Sequence, residues 1–421
     1  MGANNDFDLE PLIHTNERRP AKRLLRRTSG TFSSLRRYRC LMLALISMII
    51  LSGFFLMYHC PDYYCFAQKA THTIAPPPAP LQIDINFVSY DTIQHENFEF
   101  NINGSDVMVF LHIQKTGGTT FGKHLVQDID LESPCACIRR PKKKHKKKKS
   151  KHHRNVRRTI EEYDRPKRKL KCDCFRPNGQ SSNWLFSRYS TGWKCGLHPD
   201  WTELTECVDG YLDSVEKILT QRRYFYITFL RNPVGRYLSE FRHVQRGATW
   251  KTSLHKCNGK PATRDQLPPC YDDVNRDDWE GVGLEEFMDC PFNLATNRQT
   301  RMLADLKLVN CYDTTTMSQK ARDLIMLNSA KTNLEKMAFF GLTEKQHESQ
   351  VLFQNTFDLQ FKKPFVQFNE TTSSKEKHDL DQDTIDRITE MNHLDVELYE
   401  FAKTLLEKRV QDLNTNLKED E

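Results

Sequence analysis

One junction constrains this chain more than any other. Residues 107–113 are mostly apolar and include β-branched valine and isoleucine, the composition of a strand buried on both faces. They run without a break through His112 and Ile113 into Gln114, Lys115, Thr116, Gly117, Gly118, Thr119 and Thr120, and residues 121–126 read as the start of a helix. Strand, glycine-bearing loop and helix, in that order, cradle phosphate, because successive backbone N–H groups and the positive end of the helix face one anion. Gly117 and Gly118 are expected to let the backbone approach that anion, and Thr119 and Thr120 to add hydroxyl donors. The lysine precedes the glycines, so the loop lacks the Gly-x-x-x-x-Gly-Lys-Ser/Thr order of ATPases and GTPases. Lys115 is expected to stabilise charge on the phosphate as a bond to it breaks. The plain alternative is a tight strand–helix turn with no ligand.

A second junction repeats the pattern. Residues 224–230 form another apolar strand, followed by Arg231, Asn232 and Pro233, and proline suits the first turn of a helix. Arg231 at the strand end and Ser239 two turns into the helix are within reach of one phosphate, the arginine as a planar fork and the serine as a neutral donor. Arg231 also reads as an ordinary capping or surface arginine. Two such arms can hold a nucleotide by both of its phosphate ends, which is more specific than either arm alone.

The remaining sequence points to a compartment. Residues 41–58 are an uncharged apolar run of 18, near the lower limit for a membrane-spanning helix. Arginines and lysines crowd the preceding segment, and none follows until Lys69, so the N-terminus is expected in the cytosol and the rest in a lumen. A cleaved signal peptide is the alternative. Ten cysteines lie between Cys135 and Cys311, an even number suited to an oxidising compartment, with connectivity left open. Sequons at Asn103 and Asn369 are candidate glycosylation sites there.

Charge is concentrated rather than spread. Residues 139–171 hold 18 Lys or Arg against three acids, a net +15, whereas the whole chain carries +7 and the remainder therefore −8. This window reads as a disordered basic insertion, either a bare solvated loop or a tether for a polyanion. A lumenal position disfavours nucleic acid as the partner. Cys135 and Cys137 on one side and Cys172 and Cys174 on the other bracket it, so disulfides are expected to pin its base, with a zinc site as the rival reading. The spacing Asp128-x-Asp130 has the form used by some glycosyltransferases to hold a metal–nucleotide. Helical periodicity over 383–413 predicts a helix packed on the domain.

The 112–120 loop and the Arg231…Ser239 arm resemble those of Golgi carbohydrate sulfotransferases. Segments 184–193, 195–201, 243–250 and 337–343 are similar to the heparan sulfate 6-O-sulfotransferases in particular. The resemblance implies a P-loop-like α/β fold with a central parallel sheet flanked by helices. It implies 3′-phosphoadenylyl sulfate (PAPS) as donor, heparan sulfate as acceptor and a type II Golgi membrane protein. No metal is implied, since a sulfuryl group carries less charge than a terminal phosphate and Lys115 can suffice. By the same resemblance His198 is the acceptor-side base, consistent with an imidazole titrating near lumenal pH. Arg188 and Trp193 lie near the active centre, His243 and Trp250 contact saccharide, and Val366, Gln367, Phe368, Thr372 and Ser373 line the donor nucleotide. The family's lysine pair before the second Cys-x-Cys is here Leu170-Lys171, so one substrate contact of that pair survives as Lys171; the basic insertion is a second departure. The expected organisation is a cytosolic tail at 1–39, an anchor at 40–58, a lumenal stem at 59–104 and a sulfotransferase domain at 105–416.

Overall fold

The computed structural model describes residues 47–48, 87–95, 99–140, 169–177, 182–217, 219–248, 253–270, 278–366 and 380–419. Two compact units divide the chain at residues 83 and 84. In the first, Ser47 and Met48 are helical; the rest of the expected anchor at 40–58 lies outside the described residues. Among the described residues no helix is long and apolar enough to cross a membrane.

The second unit is built on a parallel sheet. Helix α1 (Tyr90–His95) precedes strand β1 (Asp106–Leu111), which leads into helix α2 (Gly118–Gln127). A hairpin of β2 (Ala136–Arg140) and β3 (Lys169–Asp173) follows, then β4 (Leu185–Phe186), α3 (Trp201–Glu216), β5 (Arg223–Leu230) and α4 (Pro233–Gln245). A short ribbon, β6 (Lys256–Cys257) and β7 (Lys260–Pro261), precedes α5 (Leu284–Asp289), α6 (Arg298–Leu303) and α7 (Gln319–Lys336). Strand β8 (Phe339–Leu342), α8 (Gln346–Phe357), α9 (Gln382–Met391) and α10 (His393–Glu419) complete the order.

Both sequence junctions are therefore strand–loop–helix units, as expected. The sheet order is β4-β1-β5-β8, all parallel. Every residue of β1 is buried, and so is β5 beyond its first residue, as strands covered by helices on both faces must be. Register decides the site: Leu111 lies opposite Thr228, and Leu230 opposite Leu342. The carboxyl ends of β1, β5 and β8 thus finish at one edge, where open α/β sheets bind ligands. Phe121 seats α2 on the sheet, its ring 4.5 Å from Phe229 and 5.2 Å from Phe110.

Two expectations change and a third is made specific. The stem was placed at 59–104, yet from Phe87 the chain is packed domain: Phe87 bridges Tyr224 in parallel, and Val88, Tyr90 and Ile93 are buried. These apolar residues are spaced too irregularly to announce a core element. The C-terminal periodicity is two helices, not one, broken at buried Asn392, whose Nδ2 donates to the Ile388 carbonyl while its Oδ1 accepts from Asn297 N–H. The cysteines bracketing the basic window form disulfides, Cys135–Cys174 and Cys137–Cys172, across the antiparallel β2–β3 hairpin. That choice overturns the zinc reading for these four residues. Most of the insertion, residues 141–168, lies outside the described residues. Three further disulfides, Cys195–Cys207, Cys257–Cys311 and Cys270–Cys290, account for all ten cysteines of the cluster.

Candidate active site

The first loop closes with a left-handed residue at each critical step. Lys115 has φ 69° and Gly117 φ 79°. Gly117 is the N-cap of α2 and supplies no side-chain cap; its carbonyl accepts the Thr120 and Phe121 N–H groups at 2.8 and 3.3 Å, which leaves the amides of Gly118 and Thr119 without a side-chain cap. The two glycines do different work. Gly117 provides the positive φ, whereas a Cβ on Gly118 would stand 2.2 Å from Cδ2 of His112. The packing of the His112 ring thus by itself requires glycine at 118, a reason the sequence did not show. Thr116 is also internal: its hydroxyl donates to the Ile113 carbonyl at 3.1 Å. Its main chain still belongs to the loop. Ile113 is fully buried core. Thr119 is exposed and Thr120 half-buried at the start of α2.

The second arm meets the first. Arg231 Nη1 donates to the Lys115 carbonyl at 3.2 Å, and the guanidinium lies over Gly235 at the start of α4. Asn232 caps α4 by accepting the Gly235 N–H, with Pro233 in the first turn. Thr343, just beyond β8, sits between the arms: its hydroxyl is 2.7 Å from the Thr116 carbonyl and 2.9 Å from that of Leu230. Gln299 on α6 grips the Arg231 backbone, and α6 is in turn capped by Asp395, which accepts the Gln299 and Thr300 N–H groups. Gln299 and Asp395 carried no motif signal, and Thr343 fell in a segment of resemblance without a role of its own. Neighbouring segments showed only that 337–343 and the C-terminal helix were present.

A second cluster beside the loop centres on His198. Its backbone is left-handed, φ 53°, and its Nδ1 donates to the His112 carbonyl at 2.9 Å. That bond assigns the proton to Nδ1 and the basic lone pair to Nε2. The ring lies 4.7 Å from His112 and 4.5 Å from Trp193. Trp193 is partly exposed and stacks flat on His112, at 5.8 Å and 10°. Arg188 donates to Thr119 Oγ1 at 3.1 Å and to the Tyr189 hydroxyl at 2.9 Å, and stands over the Trp193 ring. Arg188, Trp193, His198 and His112 thus form one cluster beside the loop.

Electrostatics is dominated by burial in a cationic setting. Burial pushes His198 down to about 3, with Arg188 and Arg298 acting in the same direction against the bond to His112. His112 is held well below the usual histidine range by burial and by His198, Arg188 and Lys115. His243 on α4 is pushed down to about 4 by burial, Lys115 and Arg246. Lys115 is lowered by burial, opposed by Glu240 and reinforced by Arg246 and Arg231. The expectation that His198 titrates near neutral pH is therefore corrected for the protein alone: its imidazole is neutral throughout that range.

Ser239 and His243, four residues apart on α4, share a helix face and are partly buried. Lys171 lies on β3, half-exposed and paired with Asp173 at 3.2 Å. Its neighbour Cys172 donates its N–H to the Tyr189 carbonyl, which brings the hairpin beside Arg188. Val366 is exposed next to buried Phe365. Asn103 is exposed in the turn before β1. Trp250, Gln367, Phe368, Asn369, Thr372 and Ser373 lie outside the described residues. Asp128 accepts from His124 at 2.8 Å and pairs with Lys363, and Asp130 pairs with Lys362, so both carboxylates of the Asp-x-Asp spacing are engaged with cations.

An anionic nucleotide fits this cradle. Buried His112 Nδ1, which can carry a proton to donate, lacks a partner among the described residues, α2 begins without a side-chain cap, and Lys115 and Arg231 supply positive charge beside it. A parallel sheet with a cationic loop and an adjacent histidine at one edge is an arrangement that suits a sulfotransferase, and residues 98–176 and 209–402 match the profile of the Sulfotransferase family. Heparan-sulfate 6-O-sulfotransferase 1-B of Danio rerio is 52% identical over 340 residues, 80% of this chain and 75% of the relative. The Homo sapiens heparan-sulfate 6-O-sulfotransferase 1 is 53% identical over 317 residues, covering 75% and 69%. Heparan-sulfate 6-O-sulfotransferase 2 of Gallus gallus is 46% identical over 383 residues, covering 88% and 86%. The chain belongs to the heparan-sulfate 6-O-sulfotransferase family and is a sulfotransferase enzyme.

Proposed function

We propose that this enzyme transfers a sulfuryl group from PAPS to the 6-hydroxyl of glucosamine residues in heparan sulfate, with His198 as general base. The observation that carries the reading is the meeting of the Lys115 loop, Arg231 and the His198–Trp193–Arg188 cluster at one sheet edge. The names of the relatives support the acceptor and the position. When bound, PAPS supplies the sulfuryl group: its sulfur–oxygen bond to the 5′-phosphate breaks as the acceptor oxygen bonds sulfur, leaving adenosine 3′,5′-bisphosphate. The amides of residues 114–120 and the start of α2 hold the 5′-phosphate. Arg231 and Ser239 hold the other phosphate end, and Val366, Gln367, Phe368, Thr372 and Ser373 border the nucleotide. Lys115 neutralises charge that grows on the departing phosphate.

His198 Nε2 takes the proton of the acceptor hydroxyl, while the His112 carbonyl fixes the ring and stabilises the imidazolium that forms. Arg188 and Lys171 meet the anionic groups of the polysaccharide, and Trp193, His243 and Trp250 contact its rings. The basic window at 139–171 extends that attraction by counterion release. Residues 40–58 anchor the chain in the Golgi membrane as a single type II span, with the catalytic domain lumenal. Five disulfides and glycosylation at Asn103 and Asn369 accord with such a compartment.

The test is transfer from radiolabelled PAPS to selectively desulfated heparins, followed by mapping of the label. Label at the glucosamine 6-position, lost in His198→Ala while that variant still binds adenosine 3′,5′-bisphosphate, is the expected result. Label at another position, or near-normal turnover of His198→Ala, overturns the assignment or the base.

A further inference from the structure

The turn that carries His198 is stitched on both sides to a segment with no assigned role. Before it, the Leu197 carbonyl accepts the Ser253 hydroxyl at 2.9 Å. After it, Asp200 caps α3: its Oδ1 accepts the Glu203 N–H at 2.9 Å, and Glu203 Oε2 accepts the Asp200 N–H at 3.2 Å. A capping box alone would be local. Here Glu203 uses its second oxygen on the Lys256 N–H, at 2.9 Å, and one turn later Glu206 accepts the N–H groups of Asn258 and Gly259. Asp200 Oδ2 in turn accepts from the Tyr312 hydroxyl, which receives Nδ1 of His255, both at 3.3 Å. Asp200 and Glu203 are buried, so these bonds, together with the nearby charge of Arg301, compensate their lost hydration.

Segment 253–258 is thus held directly at Leu197, Glu203 and Glu206, and through Tyr312 at Asp200, on both sides of His198. In sequence it follows directly on the stretch from His243 to Trp250 that the functional reading gives to the saccharide. His255 also lines a cleft of about 180 Å³ with Glu240, Val244, Ala248 and Arg298, beside His243 on α4. We propose that Glu203, with Asp200, is a positioning residue for the acceptor side: it fastens segment 253–258 to the His198 turn, so that base and saccharide wall keep one fixed relation. This rests on His198 being the base.

The test compares Glu203→Ala, Glu203→Gln and Ser253→Ala in the full chain. It separates kcat and KM for acceptor from KM for PAPS and from the Kd of adenosine 3′,5′-bisphosphate. Losing one or two positioning bonds is expected to lower kcat/KM for acceptor about tenfold in Glu203→Ala, with Glu203→Gln intermediate and Ser253→Ala about threefold. Nucleotide Kd and PAPS KM stay within about twofold. Unchanged acceptor kinetics in Glu203→Ala, or nucleotide affinity falling in step with transfer, overturns the proposal. If Glu203→Ala does not fold, Ser253→Ala decides by the same two criteria. A wild-type protein that transfers nothing overturns the functional reading itself; an active wild type with unaltered variants overturns only the positioning role.

Discussion

Gln299 pairs with both main-chain groups of Arg231: its Oε1 accepts the Arg231 N–H and its Nε2 donates to the Arg231 carbonyl, each at 2.9 Å. A side-chain amide here does what a neighbouring strand would do, at the point where β5 ends and the sheet can no longer supply partners. All of these groups are buried. Gln299→Leu keeps the volume and strips both bonds, and each buried group left unsatisfied costs about 1–3 kcal/mol. The expected outcome is a loss of affinity for adenosine 3′,5′-bisphosphate of about tenfold to a hundredfold, read by calorimetry. Unaltered affinity would show that Arg231 is positioned without Gln299.

Gly118→Ala tests the packing role of that glycine. The added methyl meets the His112 ring at 2.2 Å, with Phe110 on its other side at 3.0 Å, so the ring must move and the His112 carbonyl's bond to His198 with it. Overpacking of this kind costs about 1–3 kcal/mol. We expect a lowered Tm together with a fall in turnover of at least about a hundredfold, measured on the same preparation. A variant that loses nucleotide affinity but keeps its Tm would instead assign Gly118 to the ligand.

The pH dependence follows from the depressed His198. Neutral imidazole is the form that accepts a proton, and its fraction falls as pH falls through its pKa. Burial lowers that pKa to about 3, so in the free enzyme the loss moves well below the ordinary histidine range. The profile of kcat/KM for PAPS, which reports free enzyme, is expected to stay flat from about pH 7.5 to about pH 5.5. Bound nucleotide brings negative charge beside Arg188 and Lys115 and raises the His198 pKa, so the acid limb of kcat lies at higher pH. An inflection of kcat/KM near pH 6.5 would contradict the burial argument.

The nested disulfides predict strong non-additivity. Cys135–Cys174 and Cys137–Cys172 span 39 and 35 residues and close nearly the same loop. Removing both releases the long loop as well as the short ring between the two bridges, together worth about 6 kcal/mol by chain entropy, more than the sum of the two single losses. Removing one leaves the other closing almost all of it and costs about 2 kcal/mol. Paired Cys→Ser variants followed by denaturant unfolding measure this; equal, additive losses would place the stabilisation in native contacts instead.

Much of the site was legible because it is local. The two strand–loop–helix arms announce themselves by apolar runs meeting glycine or Arg-Asn-Pro, and both fold as read. What was missed has large sequence separation: Gln299 lies 68 residues from Arg231, and Thr343 is 227 from Thr116. A polar side chain that satisfies a distant main-chain group leaves no periodicity and no motif. The same reason hides Asp395, which looked like one more polar residue in an amphipathic helix.

By itself the sequence determined the two arms, the cationic loop and the concentration of positive charge in one insertion, because hydrophobic pattern and turn chemistry act over a few residues. Only the tertiary structure decided which cysteines pair, that Gly118 makes room for a ring, that the domain reaches back to Phe87, and that His198 is held neutral. Those outcomes depend on burial and on neighbours brought together by parallel strand register, quantities that no short window of sequence contains.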